Sequence, residues 1–267
     1  MNINRILTIF STLWTQNRLL WNLGLLHWAL LVPSGIWFLV DSRTVSGINP
    51  WLKPIKFDIS IAIYVWTMAW ILQYLPPTFT KRISRAITAS MLFESALIGM
   101  QAARGVRSHF NHETVFDESV YIGMAVGIMF NFVLLILTTV QFFRLKIALP
   151  LPALRGIQLG LVSLLVGNVM GIYMSLQPGS AVGMEDGGPG LPFLNWSTIT
   201  GDLRVPHFIG LHGMQVLLVL GYVISGRGPL LSERMGAWIV DVASMLYMGL
   251  SLWMFMSALQ GNPILVV

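Results

Sequence analysis

The residues best equipped for chemistry fall in three stretches. Gly201-Asp202-Leu203-Arg204-Val205-Pro206-His207 leads into an apolar segment that also carries His212 and Gln215. Gln101-Ala102-Ala103-Arg104-Gly105-Val106-Arg107-Ser108-His109-Phe110-Asn111 closes another apolar segment, in which Glu94 sits. Asn49-Pro50-Trp51-Leu52-Lys53-Pro54-Ile55-Lys56-Phe57-Asp58 opens a third. Buried imidazoles and carboxyls are suited to proton transfer, which makes Glu94, His212, His207 and Asp202 the candidate catalytic residues. Arg and Lys beside backbone donors suit carboxylates, phosphates or haem propionates. Lys53, Lys56, Arg104, Arg107, His109, Asn111 and Arg204, with Gln101 and Gln215, are accordingly the candidate ligand-binding set. His207, His212 and His109 are the candidate metal ligands, for haem or a divalent ion.

Each assignment has a plainer counterpart. His207 and His212 are five residues apart, about 140° around a helix, so they do not share a face as an i, i+4 pair would. His207 at the water interface and His212 in one interhelical hydrogen bond is the plain reading. Arg204 could simply pair with Asp202 or Asp58 and pin loops together. Ser90, Glu94, Gln101 and Arg104 follow one helical face, with His27, Asn131, Asn168 and Tyr247 at depths similar to that of Glu94. Such a layer is either interhelical glue or the floor of a cavity opening outward. An ionisable group near mid-span favours the cavity, since a carboxyl there must be neutral or paired. Asp241 is expected to pair with Arg144, Lys146 or Arg234, or else to lie on a proton path. No nucleophile motif and no phosphate loop appears, and with no cysteines thiolate chemistry is excluded.

The elements that must position these residues are membrane helices. Of 267 residues, 55% are hydrophobic and 10% charged, too few charges for a water-facing surface. Seven apolar runs lie near 19–40, 56–75, 85–104, 119–143, 156–176, 206–225 and 236–259. They predict an all-α, seven-transmembrane-helix bundle over 19–267, with an external loop at 177–205. Residues 1–18 read as an amphipathic helix lying in the interface, and Pro33-Ser34-Gly35 marks a kink. Lys and Arg divide ten to six between the two sides, which puts the N-terminus inside and the C-terminus outside. The net +5 follows from that topology and is no sign of nucleic acid. The expected partners are the lipid bilayer and an anionic small molecule or lipid.

On these motifs the chain resembles a family of uncharacterised bacterial integral membrane proteins. The shared features are Asn-Pro-Trp-x-Lys-Pro-x-Lys-Phe at 49–57, Gln-Ala-x-Arg-Gly-x-x-Ser-His-Phe-Asn at 101–111 and Gly-Asp-Leu-Arg-Val-Pro-His-Phe-x-Gly-Leu-His at 201–212. The resemblance implies the bacterial inner membrane and a shared site, and brings no activity with it.

Two functions fit. One is a membrane-embedded enzyme or redox protein with an outward-facing Arg/His/Glu pocket for an anionic or amphiphilic ligand or cofactor. The other is a proton-coupled small-solute transporter or sensor using Glu94, His27 and Asp241. The polar residues crowd towards the outer face, which favours the first.

Overall fold

The computed structural model describes residues 14–226 and 231–264. The interfacial helix expected over 1–18 lies mostly outside the described residues, as do the inner cations Arg5 and Arg227; only a helical turn at 14–16 is seen there. Seven long helices follow: α1 Arg18–Val40, α2 Leu52–Leu72, α3 Pro77–Arg104, α4 Val115–Arg144, α5 Leu151–Ser175, α6 Arg204–Ser225 and α7 Glu233–Leu259. All seven are long and apolar enough to cross a membrane. Among the described residues there is no strand, only isolated bridges in loops. This is the make-up of a multi-pass membrane protein, as the apolar runs predict.

The helix ends differ from the sequence reading where proline or a polar cap decides them. α2 begins at Leu52 rather than 56 because Pro54 falls in the first turn, where no N–H is needed. Asp58 therefore lies almost two turns inside the helix rather than in its first turn. α3 starts at Pro77, whose fixed φ suits the first helical position. It stops at Gly105, which takes φ 72°, a left-handed conformation that favours glycine. α4 starts at Val115, where Thr114 and Asp117 cap each other: Asp117 N–H donates to Thr114 Oγ1 at 3.1 Å, and Thr114 Oγ1 to Asp117 Oδ2 at 2.6 Å.

The chain divides into two compact units, one up to Leu134 and one from Leu135. In the first, α1 and α2 meet through tryptophans. Trp66 stacks on Trp21 with centroids 5.0 Å apart and donates from Nε1 to Trp21 O at 3.2 Å. Gly24 makes room for it, since a Cβ there would lie 2.1 Å from Trp66 Nε1. α3 meets α4 through Ile98, Val120 and Met124, with Phe57 and Tyr121 packed on them, and Ser90 Oγ donates to Gly127 O at 2.9 Å.

The second unit is built on backbone contact. In lipid, helices gain from close approach rather than from hydrophobic burial, so small residues mark the seams. A Cβ on Gly167 of α5 would stand 2.5 Å from Leu211 N of α6, and one on Gly210 would stand 2.6 Å from Gly167 Cα. Gly156 and Gly221 form a second such contact, with Gly221 also against Pro152 O. Ser163 Oγ donates to Gly210 O at 3.0 Å, and Tyr247 of α7 donates to Ile209 O at 2.7 Å.

Gly167→Leu or Gly210→Leu should therefore destabilise the protein by at least about 1–3 kcal/mol, the usual cost of overpacking. Gly249→Ala, where nothing lies within 4 Å, should change little. Thermal unfolding in detergent measures both. Equal melting of the Gly167→Leu variant and the parent would disprove the seam.

Candidate functional site

In the first unit the structure gathers Glu94, His109 and Lys53. Glu94 is on the α4-facing side of α3, between Ser90 and Gln101, and is 2% exposed. Neither of its carboxyl oxygens has a hydrogen-bond partner. The nearest basic group in contact is His109, whose Nε2 lies 3.9 Å from Glu94 Oε1, longer than a hydrogen bond. His109 comes from the turn between α3 and α4, with its ring 6.1 Å from Phe57 and 5.9 Å from Tyr121. Lys53, in the first turn of α2, stands over Phe57 with Nζ 5.8 Å from the ring centre, and its charge reaches both Glu94 and His109.

The imidazole of His109 is held well below its ordinary range. Burial is the main cause, because it penalises the cation, and the charge of Lys53 adds to it. A hydrogen bond with the Ser108 backbone opposes the two without cancelling them.

Around this trio several of the other candidate residues bond to one another or to the backbone. Gln101, fully buried, donates from Nε2 to Asp117 Oδ1 at 2.9 Å and accepts from Arg104. Arg104 is also ion-paired to Asp117. Asn111 donates to Arg107 O at 2.9 Å and accepts from Glu113 N–H at 3.2 Å, fixing the turn that carries His109. Arg107 has an exposed side chain at the same end, and Lys56 is half-buried on α2.

Two pairings matter here that the sequence reading did not draw. Asp117 is the hub joining Gln101, Arg104 and Thr114; the Thr-x-x-Asp pattern before an apolar run was its signal. Asp58 pairs with His27, Oδ1 to Nδ1 at 2.8 Å, both buried. The sequence reading offered Asp58 to Arg204 instead.

In the second unit, Asp202 accepts from Ser197 N–H (2.8 Å), Arg204 N–H (3.0 Å), Arg204 Nε (2.9 Å) and Arg204 Nη2 (2.6 Å). Arg204 also donates to Asn195 O. The pair ties the long loop to the start of α6, as the plain reading of Arg204 had it. Asp186 organises the other side of that loop. Burial pushes its carboxyl up, but hydrogen bonds from Ser180 and Ala181 and the charge of Arg204 prevail, and it ends below its usual range.

His207 donates from Nδ1 to Gly167 O at 2.7 Å, in the α5–α6 seam and beside Gly171. The interhelical bond expected of His212 thus belongs to His207. His212 instead packs on Phe208 of its own helix, ring centroids 4.2 Å apart, with Gln215 beside it. Asp241 pairs with Arg155, at 3.1 Å from Nε and 3.2 Å from Nη2, and not with Arg144, Lys146 or Arg234.

Glu94 thus has His109 as its neighbour, while His212 is described with the second unit. Among the described residues no group of three or more His, Cys, Asp or Glu side chains could hold a metal ion. Comparisons with protein families, curated proteins and solved structures find no match to this chain.

His109 stays neutral in the fold, whereas in the unfolded chain it takes up a proton near its ordinary value of about 6.5. Its contribution to stability is whole above that pH and is lost as pH falls below it. The melting temperature in detergent should drop between pH 7 and 5, and His109→Gln should flatten that drop. An unchanged slope in the variant would show that His109 is not buried as a neutral ring.

Proposed function

We propose that this is a protein of the bacterial inner membrane whose first unit binds an anionic amphiphile and exchanges a proton with it. The observation that carries the reading is the carboxyl of Glu94, buried, without a hydrogen-bond donor, and facing His109 and Lys53. Burying such a group costs several kcal/mol unless it is used or paired (about 1–3 kcal/mol in protein mutational data). At 3.9 Å the two side chains are too far apart to bond directly, yet a hydroxyl between them would reach both. Glu94 and His109 would hold and pass the proton. Lys53 would answer the ligand's negative charge, and Lys56 and Arg107 would draw it in. Arg104, Arg204 and Asp202 would keep the loops in place.

The orientation belongs to this reading. With the N-terminus inside, the His109 turn faces outward, supported by the ten-to-six division of Lys and Arg. Reporter fusions after residues 80 and 150 should then read cytoplasmic, and a fusion after 112 external. The opposite pattern would place the site on the cytoplasmic side. The transporter alternative is less well supported, because Asp241 is engaged by Arg155.

Dodecyl phosphate added to the protein in an uncharged maltoside detergent, with an indicator dye, tests the function. Saturable binding accompanied by proton uptake or release is expected. Glu94→Gln should fold, by its circular dichroism, and bind without the proton change. Lys53→Ala should weaken binding at least ~10-fold, about 1.4 kcal/mol. Absence of binding by the parent, or an unaltered proton signal in Glu94→Gln, would refute the proposal.

A further inference from the structure

A second feature of the first unit is independent of Glu94. Between α1, α2 and α3 lies a pocket of about 230 Å³ whose walls include Trp37, Trp51, Phe57 and Asp58, with the hydroxyl-bearing Ser34 and Ser95. The rest of the lining is Leu, Ile, Pro and Gly, and no Lys, Arg or His contributes. We infer that this pocket binds a small organic ammonium ion.

The charge argument begins with Asp58, 5% exposed, and His27, fully buried. They share one hydrogen bond, and His27 Nε2 has no partner. Within the pocket lining Asp58 is the one ionisable side chain, so the wall offers a carboxyl and no basic group of its own. A cation is what such a wall stabilises, and an anion is what it rejects.

The aromatic argument is separate. Trp37 and Trp51 stack with centroids 5.8 Å apart at 16°, and tryptophan faces are the best aromatic partners for cations. Trp51 is held in place before any ligand arrives. Its Nε1 donates to Asp41 Oδ2 at 2.9 Å, and Asp41 is gripped by Arg43. That guanidinium, hydrogen-bonded to the Asp41 carboxyl, is the main reason the carboxyl lies far below its usual range. Asn49 accepts from Trp51 N–H at 2.9 Å and donates to Asp41 O and Phe38 O at 2.7 and 3.1 Å. The Asn-Pro-Trp motif thereby acquires a purpose. Trp51, Pro54 and Asp58 fall at i, i+3 and i+7, one face of α2, and all three line the pocket.

Size sets the class. Pockets for drug-sized molecules run to about 300–1,000 Å³, and this one is smaller, so the occupant is a compact ammonium head. A neutral apolar molecule of that shape would fill the space and leave the charge of Asp58 unanswered.

The test uses full-length protein in maltoside, with tryptophan fluorescence and calorimetry as readouts. Choline and its uncharged isostere 3,3-dimethylbutan-1-ol are the probes. Choline should bind saturably and the isostere at least ~10-fold more weakly. Asp58→Asn should abolish the preference for the cation. Should that variant fail to fold, Trp37→Leu decides, because Trp37 is half-exposed and its loss removes one aromatic wall; choline affinity should fall several-fold. Absent choline binding, equal binding of the alcohol, or undiminished affinity in Trp37→Leu would each overturn the inference.

Discussion

Polar groups on membrane-length helices have to find their partners within the protein, and that constraint arranges most of what is described here. Asn17 reaches Ser84, Tyr64 reaches Asn131, Gln158 reaches Phe142 O, and Ser163 reaches Gly210 O. His27 is answered by Asp58 and Asp241 by Arg155. Apart from that of Asn17, which precedes α1, each of these bonds joins two helices and fixes their rotation, because the alternative is an unsatisfied group in hydrocarbon. Against that background the carboxyl of Glu94, with neither oxygen hydrogen-bonded, is a departure that asks for a chemical explanation.

The two units meet the constraint by different means, and the difference bears on where a ligand could enter. α5 and α6 approach until glycine faces backbone, which leaves no room between them. His207 then serves as one more interhelical bond. α1 and α2 instead meet through indole rings, Trp21 on Trp66 and Trp37 on Trp51. Large flat side chains cannot fill the wedge between three helices completely, and the space left over is the pocket beside Asp58. Tight packing gives a scaffold; aromatic packing gives a cavity.

Composition and run length made the seven spans legible, since about twenty apolar residues are needed to cross a bilayer. The caps were not read: a run beginning near 119 left Thr114 and Asp117 outside the span. Nor were the pairings. That Glu94 would face His109, and that Arg155 would reach Asp241, depends on how helices rotate against one another, and one sequence carries no signal for rotation. The depth of His27 was readable, but its partner was hidden because a run beginning at 56 places Asp58 at the rim. The arginine motifs were conspicuous for a reason the sequence alone could not separate from ligand binding. Arg104 and Arg204 each hold a carboxylate that holds a turn.

Phe57 joins the two features of the first unit. It lines the pocket, and its ring also lies 5.8 Å from Lys53 Nζ and 6.1 Å from the His109 ring. The short helical stretch from Trp51 to Asp58 thus has two working faces. One presents Trp51, Pro54 and Asp58 to the pocket; the other carries Lys53 towards Glu94 and His109. A side chain shared between them is constrained from both sides, because moving the ring to admit a larger guest would shift the cation of Lys53 relative to Glu94. Close-packed interiors pass on such displacements. Within two turns of one helix the motif thus contributes a carboxyl to the pocket wall and an ammonium beside Phe57.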